Sequence, residues 1–455
     1  MRNKLVIIGA GSAMFTQGIV LDWLSRKPEG DWEIALVDIE ETILRATEKM
    51  VLRYAQSAEK PLKVSATTDR QSALEGATVV VCTIAVGGRR AREQDLLIPR
   101  KYGIFQPVAD SVMPGGISRA MRMIPAVVDI ARDVHRFCPK ALFINYANPM
   151  TAIIRAVRRE TPVPAIGLCI GVDDSLRLLA SLAEVPYERI TAKWAGLNHL
   201  TWILEIRDSG EDLWPVLQHK VAERRQLGIN PNLIGWYGWT EGPCPHATYH
   251  DTLFSWELYE EFGAFPAPLD RHVVEFFSAR FPQGCYYGHT LGVDAYSLER
   301  FIAHGTEIYQ ATLELGKGDG PIPRGQLETT SGEHMQLMDI LGSIRHDSRR
   351  WYSVNLPNGG TVPNLPKDAI LELPAAAGAE GFIPMPIGEL SPPLTAILLR
   401  RLAVVEASVE AALTGSRKLM TEALVLDGSV PDYSTAQRLT EELLQTHRTY
   451  LPQFN

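Results

Sequence analysis

The stretch that decides the fold is KLVIIGAGS, residues 4–12. Four apolar residues run into a turn with two glycines, and a helical pattern comes next. A buried strand that turns directly into a helix through such glycines is typical of dinucleotide-binding folds, in which glycine amides and the helix N-terminus hold a pyrophosphate. The usual motif has a third small residue where this chain has Met14, so the interpretation also depends on the second strand and the residue that ends it.

The segment WEIALVDI, residues 32–39, contains the second strand pattern, and the acidic residue at the end of that strand is Asp38. An acid at this point hydrogen-bonds the adenosine ribose of a dinucleotide, and its charge repels the 2′-phosphate of NADP. Gly9, Gly11, Ser12 and Asp38 are therefore the predicted cofactor-binding residues, and NAD is the predicted cofactor. The alternative is a plain glycine turn beside a solvated aspartate.

Further strand and helix patterns extend the first half of the chain. Strand patterns occupy residues 62–69, 77–88, 141–150 and 165–171, and helical patterns include 42–58 and 118–136. Apolar strands that alternate with helices predict an α/β fold, here a Rossmann-like doubly wound parallel sheet over residues 1–190. Residues 191–455 are predicted to form a mixed α+β domain that is similar to the C-terminal region of lactate and malate dehydrogenases. In this chain, that domain is predicted to bind substrate and metal and to support oligomerisation.

The predicted secondary structure of that second half changes along its length. The segment 190–210 has the pattern of strands that return in another direction, 349–375 is strand-like and punctuated by proline and glycine, and 389–449 has the pattern of amphipathic helices.

Composition narrows the class of protein. The 455 residues carry a formal net charge of −8 and no cluster of basic residues, which argues against a nucleic-acid partner. No apolar run approaches the length of a membrane span, and the N-terminus lacks a signal-peptide pattern. Five scattered cysteines indicate reduced thiols, so the sequence predicts a cytoplasmic protein with a small-molecule ligand.

Polar side chains come directly after three of the later strand patterns. Asn148 lies in NYANPM, Cys169 in GLCIGV, and Asn198 with His199 in AGLNHLTW. The carboxyl ends of strands in an open α/β sheet face one crevice, where a thiolate and an imidazole could bind a divalent transition metal. The alternative is that Cys169 is a small buried apolar residue and His199 a hydrogen-bonded core histidine.

These residues and several longer segments resemble glycoside hydrolase family 4, the NAD- and divalent-metal-dependent glycosidases. The resemblance covers nearly the whole chain in the family's order, through the segments GAGS at 9–12, DSVMPGGISRAMR at 110–122, NYANPM at 145–150, GLC at 167–169, GLNHLTW at 196–202, GAFPAPLDRHVVEFF at 263–277 and VNLPNGGTVPNLPKDAILELP at 354–374. The DRHVVEFF segment places the chain nearest the α-galacturonidase, α-glucuronidase and α-galactosidase branch.

The resemblance implies hydrolysis by an oxidation and elimination route. NAD⁺ takes a hydride from C3 of the sugar, the ketone acidifies the C2 proton, and a base removes that proton while a metal stabilises the enediolate. The aglycone leaves, water adds to the unsaturated ketone, and NADH returns the hydride. This scheme is the NAD-dependent exception to hydrolysis by two carboxylates.

Within that scheme the resemblance assigns the metal and the base. Cys169 and His199 correspond to the family's two protein ligands for Mn²⁺ or another divalent ion. Asp270 is the predicted base, and His272 beside it would orient that base or bind substrate. The alternative for Asp270 is a carboxylate that caps a helix start, with His272 on the surface.

The resemblance also implies substrate contacts. Asn148 corresponds to a residue that contacts a sugar hydroxyl, and it is also a predicted cofactor-binding residue. Asn198, beside the metal ligand, is a further predicted substrate contact. Arg119 and Arg122 lie in the PGGISRAMR segment, where a guanidinium suits a sugar carboxylate; the alternative is a solvated helix face.

Two positions depart from the family. Ile170 stands where relatives have a histidine or aspartate that helps protonate the leaving oxygen, and isoleucine cannot transfer a proton. Asp110, Asp173, Asp174 and His246 are four candidate substitutes of equal standing. Asp110 is also counted among the predicted catalytic residues, because it matches the acid that begins a family segment.

Met113 replaces the usual glycine in the segment that Asp110 begins, and we expect it to reshape the sugar pocket.

The sequence therefore predicts an NAD- and Mn²⁺-dependent α-glycosidase that acts on small glycosides of a uronic acid or a neutral hexose, as a homodimer or homotetramer. One rival is an NAD-dependent 2-hydroxy-acid dehydrogenase, which would consume NAD in proportion to product. The other is a non-catalytic NAD-binding regulator, which would bind NAD without turnover.

Overall fold

The fold is built on one sheet whose first half is parallel. The computed structural model describes residues 2–12, 15–26, 28–60, 62–228, 249–322 and 335–455. Its first six strands are β1 (Arg2–Ile8), β2 (Asp31–Val37), β3 (Lys63–Thr67), β4 (Val79–Cys82), β5 (Leu142–Asn145) and β6 (Ile166–Gly167). They pair in parallel in the order β3-β2-β1-β4-β5-β6, which is the Rossmann order, so the predicted fold class is confirmed.

The same sheet continues with antiparallel strands from the second half. These are β7 (Ile190–Leu197), β8 (Leu200–Asp208), β9 (Glu211–Asp212), β10 (Phe265–Ala267), β13 (Arg350–Pro357), β14 (Ile370–Gly378) and β15 (Gly381–Pro384), while β11 (Cys285–Tyr286) and β12 (His289–Thr290) form a separate hairpin. β13 pairs with β6 through Asn355 and Gly167, and β14, β7, β8 and β10 lie beyond it in that order. Strands from both predicted domains thus share one sheet, and the boundary after residue 190 stays a prediction.

Helices connect the strands. In the first half they are α1 (Thr16–Arg26), α2 (Glu41–Ser57), α3 (Arg70–Leu74), α4 (Gly88–Arg100), α5 (Met113–Phe137), α6 (Met150–Glu160) and α7 (Gly171–Leu182). In the second half they are α8 (Trp214–Gln226), α9 (Leu253–Phe262), α10 (Asp270–Val273), α11 (Leu298–Lys317), α12 (Met335–His346), α13 (Pro392–Thr414), α14 (Arg417–Asp427) and α15 (Tyr433–Thr446).

The predicted helices are present, and α5 is longer than its pattern indicated. It begins five residues before 118, with Pro114 in its first turn, where the missing amide hydrogen removes no helical bond. The predicted segment 389–449 contains α13, α14 and α15. No helix in the described part of the chain is long and apolar enough to cross a membrane.

The glycine turn after β1 sits where the sheet order reverses, between β1 and β4. Gly9 has a φ of +93°, and a Cβ atom at this position would lie 2.9 Å from the backbone nitrogen of Ile84. Only glycine permits both this backbone conformation and this close approach of the two segments. The carboxyl ends of β1 and β4 therefore open one crevice at the point where open α/β sheets bind ligands.

Candidate active site

A cavity of about 1510 Å³ lies along the carboxyl ends of these strands. It extends from the glycine turn to the β7–β8 hairpin and α10. Ten of the predicted site residues line it, namely Gly9, Gly11, Ser12, Asp38, Asp110, Arg119, Asn148, Cys169, His199 and His272, whereas Asp270, Asn198 and Arg122 do not. The fold thus brings the predicted cofactor end and the predicted metal end into one space.

At the cofactor end, Asp38 organises the turn. The amide of Gly11 donates to Asp38 Oδ2 at 2.8 Å, and the amide of Glu40 donates to Asp38 Oδ1 at 3.0 Å. A Cβ atom at Gly11 would lie 2.5 Å from the side chain of Ile43. The turn therefore has no room for a side chain and presents backbone and carboxylate to the cavity.

At the other end, the β7–β8 hairpin presents His199. Asn198 and His199 are the two residues between the strands, and His199 has a φ of +70°, a left-handed conformation that few non-glycine residues adopt. Buried Glu372 on β14 anchors this turn, because its Oε2 accepts a hydrogen bond from Thr201 Oγ1 at 2.7 Å and one from Asn198 Nδ2 at 3.5 Å. Burial raises the pKa of Glu372. The amide of Asn198 therefore supports the turn instead of facing the cavity.

His199 belongs to a cluster with Asp110 and His272. One donor atom from each of the three residues lies within 4.8 Å of the others. His199 Nδ1 is 3.3 Å from Asp110 Oδ1, and the two imidazole ring centroids are 3.9 Å apart. The Nδ1 atom of His272 is buried and has no hydrogen-bond partner among the described residues. The cluster is thus compact, and the described residues leave its His272 Nδ1 atom without a hydrogen-bond partner.

Two of the three cluster residues, Asp110 and His272, have lowered pKa values. Burial alone would raise the pKa of Asp110, but His199, His272 and Arg92 hold it well below its usual range. Burial, and then neighbouring His199, hold the pKa of His272 well below its usual range. A first-row divalent ion lies about 2.0–2.2 Å from nitrogen and oxygen ligands, so a carboxylate and two imidazoles this close can converge on one ion.

The segment before Asp110 is fixed by a buried acid from the second half. The amides of Val108 and Ala109 both donate to Glu275 Oε1 at 2.8 Å. Burial and the nearby Asp110 raise the pKa of Glu275 to about 8. Asn148 Nδ2 donates to the other edge of Asp110, at Oδ2 and 3.2 Å.

Cys169 lines the cavity but does not join the cluster of three. It is buried and precedes α7, and its Sγ accepts a hydrogen bond from the amide of Gly171 at 3.4 Å. The helix N-terminus thus faces the sulfur and stabilises negative charge there. Ile170, the next residue, is an apolar part of the cavity wall.

Of the candidate substitutes for Ile170, Asp174 lines the same cavity one helical turn further along α7. The carboxylate of Asp173 instead accepts hydrogen bonds from Arg177 and Tyr187. His246 lies outside the described residues. Met113, expected from sequence to reshape the pocket, is buried in the core and is not part of the cavity wall.

Asp270, the predicted base, is turned away from the cavity. Its fully buried carboxylate accepts four hydrogen bonds, from the amides of Phe254 and Ser255, the Ser255 hydroxyl and the Tyr286 hydroxyl, at 2.6–2.9 Å. Two of these donors are orphan amides in the first turn of α9. Asp270 thus caps a helix, in agreement with the alternative interpretation, but the helix is α9 and not its own α10.

The two predicted arginines have different surroundings. Arg119 lines the cavity and donates its Nε to the carbonyl of Asn148 at 2.9 Å. Arg122 is neither solvated nor in the cavity, because it forms a fully buried ion pair with Asp95 at 2.6 Å, and His447 contacts the same carboxylate at 2.9 Å.

The sequence patterns missed Arg92. It lies on α4, in the segment after β4, and lines the cavity near Asp110. The only signal for it is its place after a strand end, in the run GRRAREQD, where arginines and acids are mixed without a recognisable motif.

Similar solved structures share this fold. A 6-phospho-α-glucosidase from gut microorganisms, solved in complex with NAD and Mn²⁺, superposes with a TM-score of 0.83 over 100% of both chains at 20% identity. Malate dehydrogenase from Cryptosporidium parvum superposes with a TM-score of 0.52 over 91% of this chain and 99% of that chain at 14% identity, which shows a relation of fold alone.

Sequence comparisons are more specific. An α-glucosidase from Erwinia rhapontici is 29% identical over 99% of both chains, and an α-galacturonidase from Bacillus subtilis strain 168 is 29% identical over 97% of both chains. Residues 4–183 match the family described as Family 4 glycosyl hydrolase, and residues 194–430 match that family's C-terminal domain. The chain therefore belongs to family 4 of the glycosyl hydrolases.

Proposed function

We propose that this glycosidase depends on NAD and a divalent metal, Mn²⁺ in the first instance, and cleaves small α-glycosides of a uronic acid or a neutral hexose. The observation that carries the proposal is that the glycine turn with Asp38 and the cluster of Asp110, His199 and His272 line a single cavity.

The cofactor end fits NAD. The turn is too tight for any side chain at Gly9 or Gly11, so a pyrophosphate can approach the backbone closely. Asp38 accepts hydrogen bonds from two backbone amides, which hold its carboxylate in an orientation that suits a ribose hydroxyl. The same negative charge disfavours the 2′-phosphate of NADP.

The other end fits a divalent metal. Asp110, His199 and His272 would hold the ion, and Cys169 on the adjoining wall is the predicted further ligand. The buried Nδ1 of His272, for which the described residues offer no hydrogen-bond partner, supports this assignment, because a buried polar atom without a partner is destabilising unless a ligand satisfies it.

When bound, NAD would supply reversible oxidation at C3 of the sugar, and the metal would stabilise the negative charge that develops on the sugar oxygens. Asn148 donates a hydrogen bond from its Nδ2 to Asp110. The Oδ1 atom of Asn148 is buried and has no partner among the described residues, so it can accept a hydrogen bond from a sugar hydroxyl.

Proton transfer falls to residues of the cavity wall. Asp270 does not line the cavity, so we assign the removal of the C2 proton to a side chain of the cavity wall and not to Asp270. Asp174 is the carboxyl group that we assign to protonation of the leaving oxygen, because Ile170 has no proton to give and Asp174 lines the same wall.

The test is turnover of nitrophenyl α-glycosides of galacturonic acid, glucuronic acid, galactose and glucose in D₂O with NAD⁺, Mn²⁺ and a thiol reductant. We expect sugar release with deuterium at C2 and no net reduction of NAD. Release without deuterium at C2 would show ordinary hydrolysis, and NADH formed in proportion to product would show a dehydrogenase.

The metal assignment has its own test. Mn²⁺ affinity, measured by electron paramagnetic resonance, should fall at least about tenfold in His272→Gln. His219→Gln is the matched control, because His219 lies on α8 with its side chain 73% exposed. Equal Mn²⁺ affinity in both variants would remove His272 from the ligand set.

A further inference from the structure

The sugar end of the cavity carries a group of arginines around the metal-type cluster. Arg92 on α4, Arg119 on α5 and Arg271 on α10 all line the cavity. Nothing in the proposed reaction requires three cationic side chains at this place.

Arg92 is fixed along one edge and one face. Its Nε and Nη2 both donate to the carbonyl of Val108, at 3.0 and 2.9 Å. Its guanidinium carbon lies 3.9 Å from the ring centroid of Phe301, which Arg271 also approaches, at 5.6 Å. A guanidinium held in this way is oriented in advance, and within the described part of the chain its Nη1 edge makes no hydrogen bond, so it can serve a ligand.

Neutral groups satisfy Arg92 and Arg119 only in part. Each donates to a backbone carbonyl, Arg92 to Val108 and Arg119 to Asn148, and neither forms an ion pair within the described residues. Burial lowers the pKa of Arg92 to about 10, with Asp110 opposing the effect and Arg271 and Arg119 adding to it. The side chain thus remains cationic at neutral pH.

Asp110 is the carboxylate closest in influence to both Arg92 and Arg119, but it forms an ion pair with neither of them among the described residues. Asp110 is already engaged by His199, Ser111 and Asn148, and a divalent ion in the cluster would add two further positive charges. A buried charge is stable only when it is paired, so this end of the cavity favours an anionic ligand.

We propose that Arg92 and Arg119 bind the carboxylate of a uronic acid, so that among the α-glycosides open to the proposed function this enzyme hydrolyses uronides. The inference rests on that function. The planar fork of a guanidinium matches a carboxylate through two parallel hydrogen bonds. A sugar phosphate offers related chemistry, and a comparison of substrates separates the two.

The first experiment compares kcat/KM of the wild-type enzyme on nitrophenyl α-galacturonide, α-galactoside and α-galactoside 6-phosphate, with NAD⁺ and Mn²⁺ present. We expect the uronide to exceed both other substrates by about 10- to 100-fold, since a hydrogen bond to a charged group contributes about 1.5–3 kcal/mol. Equal turnover of the neutral galactoside, or best turnover of the phosphorylated one, overturns the proposal.

Variants then locate the effect. Arg92→Gln should lower the ratio of kcat/KM on the uronide to kcat/KM on the galactoside about 10- to 100-fold, while Arg92→Lys recovers part of that ratio. Arg280→Gln is the control, because it removes a positive charge nine residues beyond Arg271, where the side chain is 49% exposed and paired with Glu261.

NAD affinity is measured in parallel by protein fluorescence. Weaker NAD binding in Arg92→Gln, with equal losses on both substrates, would assign Arg92 to the cofactor and refute the proposal.

A binding measurement separates this inference from the proposed function. Titration calorimetry with free galacturonate and free galactose, on the wild-type enzyme with NAD⁺ and Mn²⁺, does not depend on turnover. Tighter binding of galacturonate that Arg92→Gln abolishes supports the carboxylate site even if no glycoside is cleaved. Equal affinity for the two sugars refutes it even if glycosides are cleaved.

Discussion

The environment of Asp270 leads to a prediction that separates a structural role from a catalytic one. In Asp270→Asn the side chain keeps its size but loses one acceptor oxygen. Oδ1 accepts the amide and hydroxyl of Ser255, and Oδ2 accepts the amide of Phe254 and the hydroxyl of Tyr286. The two hydroxyls can rotate to accept a bond from the new amide, but the backbone N–H groups cannot.

Whichever way the asparagine turns, one buried backbone N–H therefore faces an NH₂ group. An unsatisfied buried donor costs about 1–3 kcal/mol, and the other bonds lose their charge-assisted character. We expect a loss of about 2–4 kcal/mol in the free energy of unfolding. With an unfolding entropy of about 2.1 cal/mol/K per residue over this chain, that loss lowers Tm by about 2–4 °C.

The assay pairs differential scanning calorimetry with turnover of the folded variant. Asp368→Asn is the control, because that carboxylate is 67% exposed and paired with Arg155, and we expect it to shift stability by less than about 0.5 kcal/mol. Turnover of Asp270→Asn should fall less than about tenfold, whereas removal of a general base typically costs about 10²–10⁴-fold. An unchanged Tm together with lost exchange at C2 would refute the capping role and restore Asp270 as the base.

Three other substitutions test the remaining parts of the site. Cys169→Ser should abolish metal-dependent turnover while NAD binding, measured by fluorescence, stays intact; undiminished activity would remove the metal-ligand assignment. Glu372→Ala should destabilise the protein by about 2–4 kcal/mol in urea unfolding, because buried Thr201 and Asn198 lose their acceptor, and a smaller effect than about 0.5 kcal/mol would contradict the anchoring role. Asp38→Asn keeps one acceptor oxygen, for the amide of Gly11 or of Glu40, and removes the charge, so the ratio of NADP to NAD affinity should rise about tenfold or more, and an unchanged ratio would place the ribose elsewhere.

The parts of the structure that the sequence predicted are those with local causes. The strand, the glycine turn and Asp38 are predictable from a short stretch in which apolar pattern, turn chemistry and charge agree. His199 could also be predicted from the sequence, because it follows the end of one strand pattern and precedes the strand that forms a hairpin with it. The strand-end rule then placed these residues in one crevice without knowledge of any side-chain contact.

Asp270 shows where local reasoning stops. An aspartate at a helix start normally caps the helix that it begins, and that pattern made both a cap and a free catalytic carboxylate plausible from sequence. The structure instead uses it across 16 residues, on the amide of Phe254 in α9. No periodicity reports which helix start a buried carboxylate will contact, because packing of the two elements decides it.

Arg92 was missed for a related reason. An arginine on a helix is usually solvated, and its neighbour Arg90 is indeed exposed and paired with Glu93 on the same helix. What distinguishes Arg92 is the position of Phe301 and the carbonyl of Val108, which come from other segments of the chain. Only the folded structure shows that this side chain faces the cavity.

The placement of Asp110 shows how far the site depends on the second half of the chain. Its loop holds two left-handed non-glycine residues, Ala109 at a φ of +56° and Met113 at +60°, a conformation that explains a preference for glycine at the Met113 position. Such strain persists only where surrounding contacts impose it, and here Glu275 binds the Ala109 amide while Asp427 binds the Met113 amide. These acids lie 166 and 314 residues away from the amides that they hold. The geometry of Asp110, the metal ligand that we propose in the first half, is therefore set by buried acids of the second half, so we expect the affinity of the site for metal to depend on the packing of the second half.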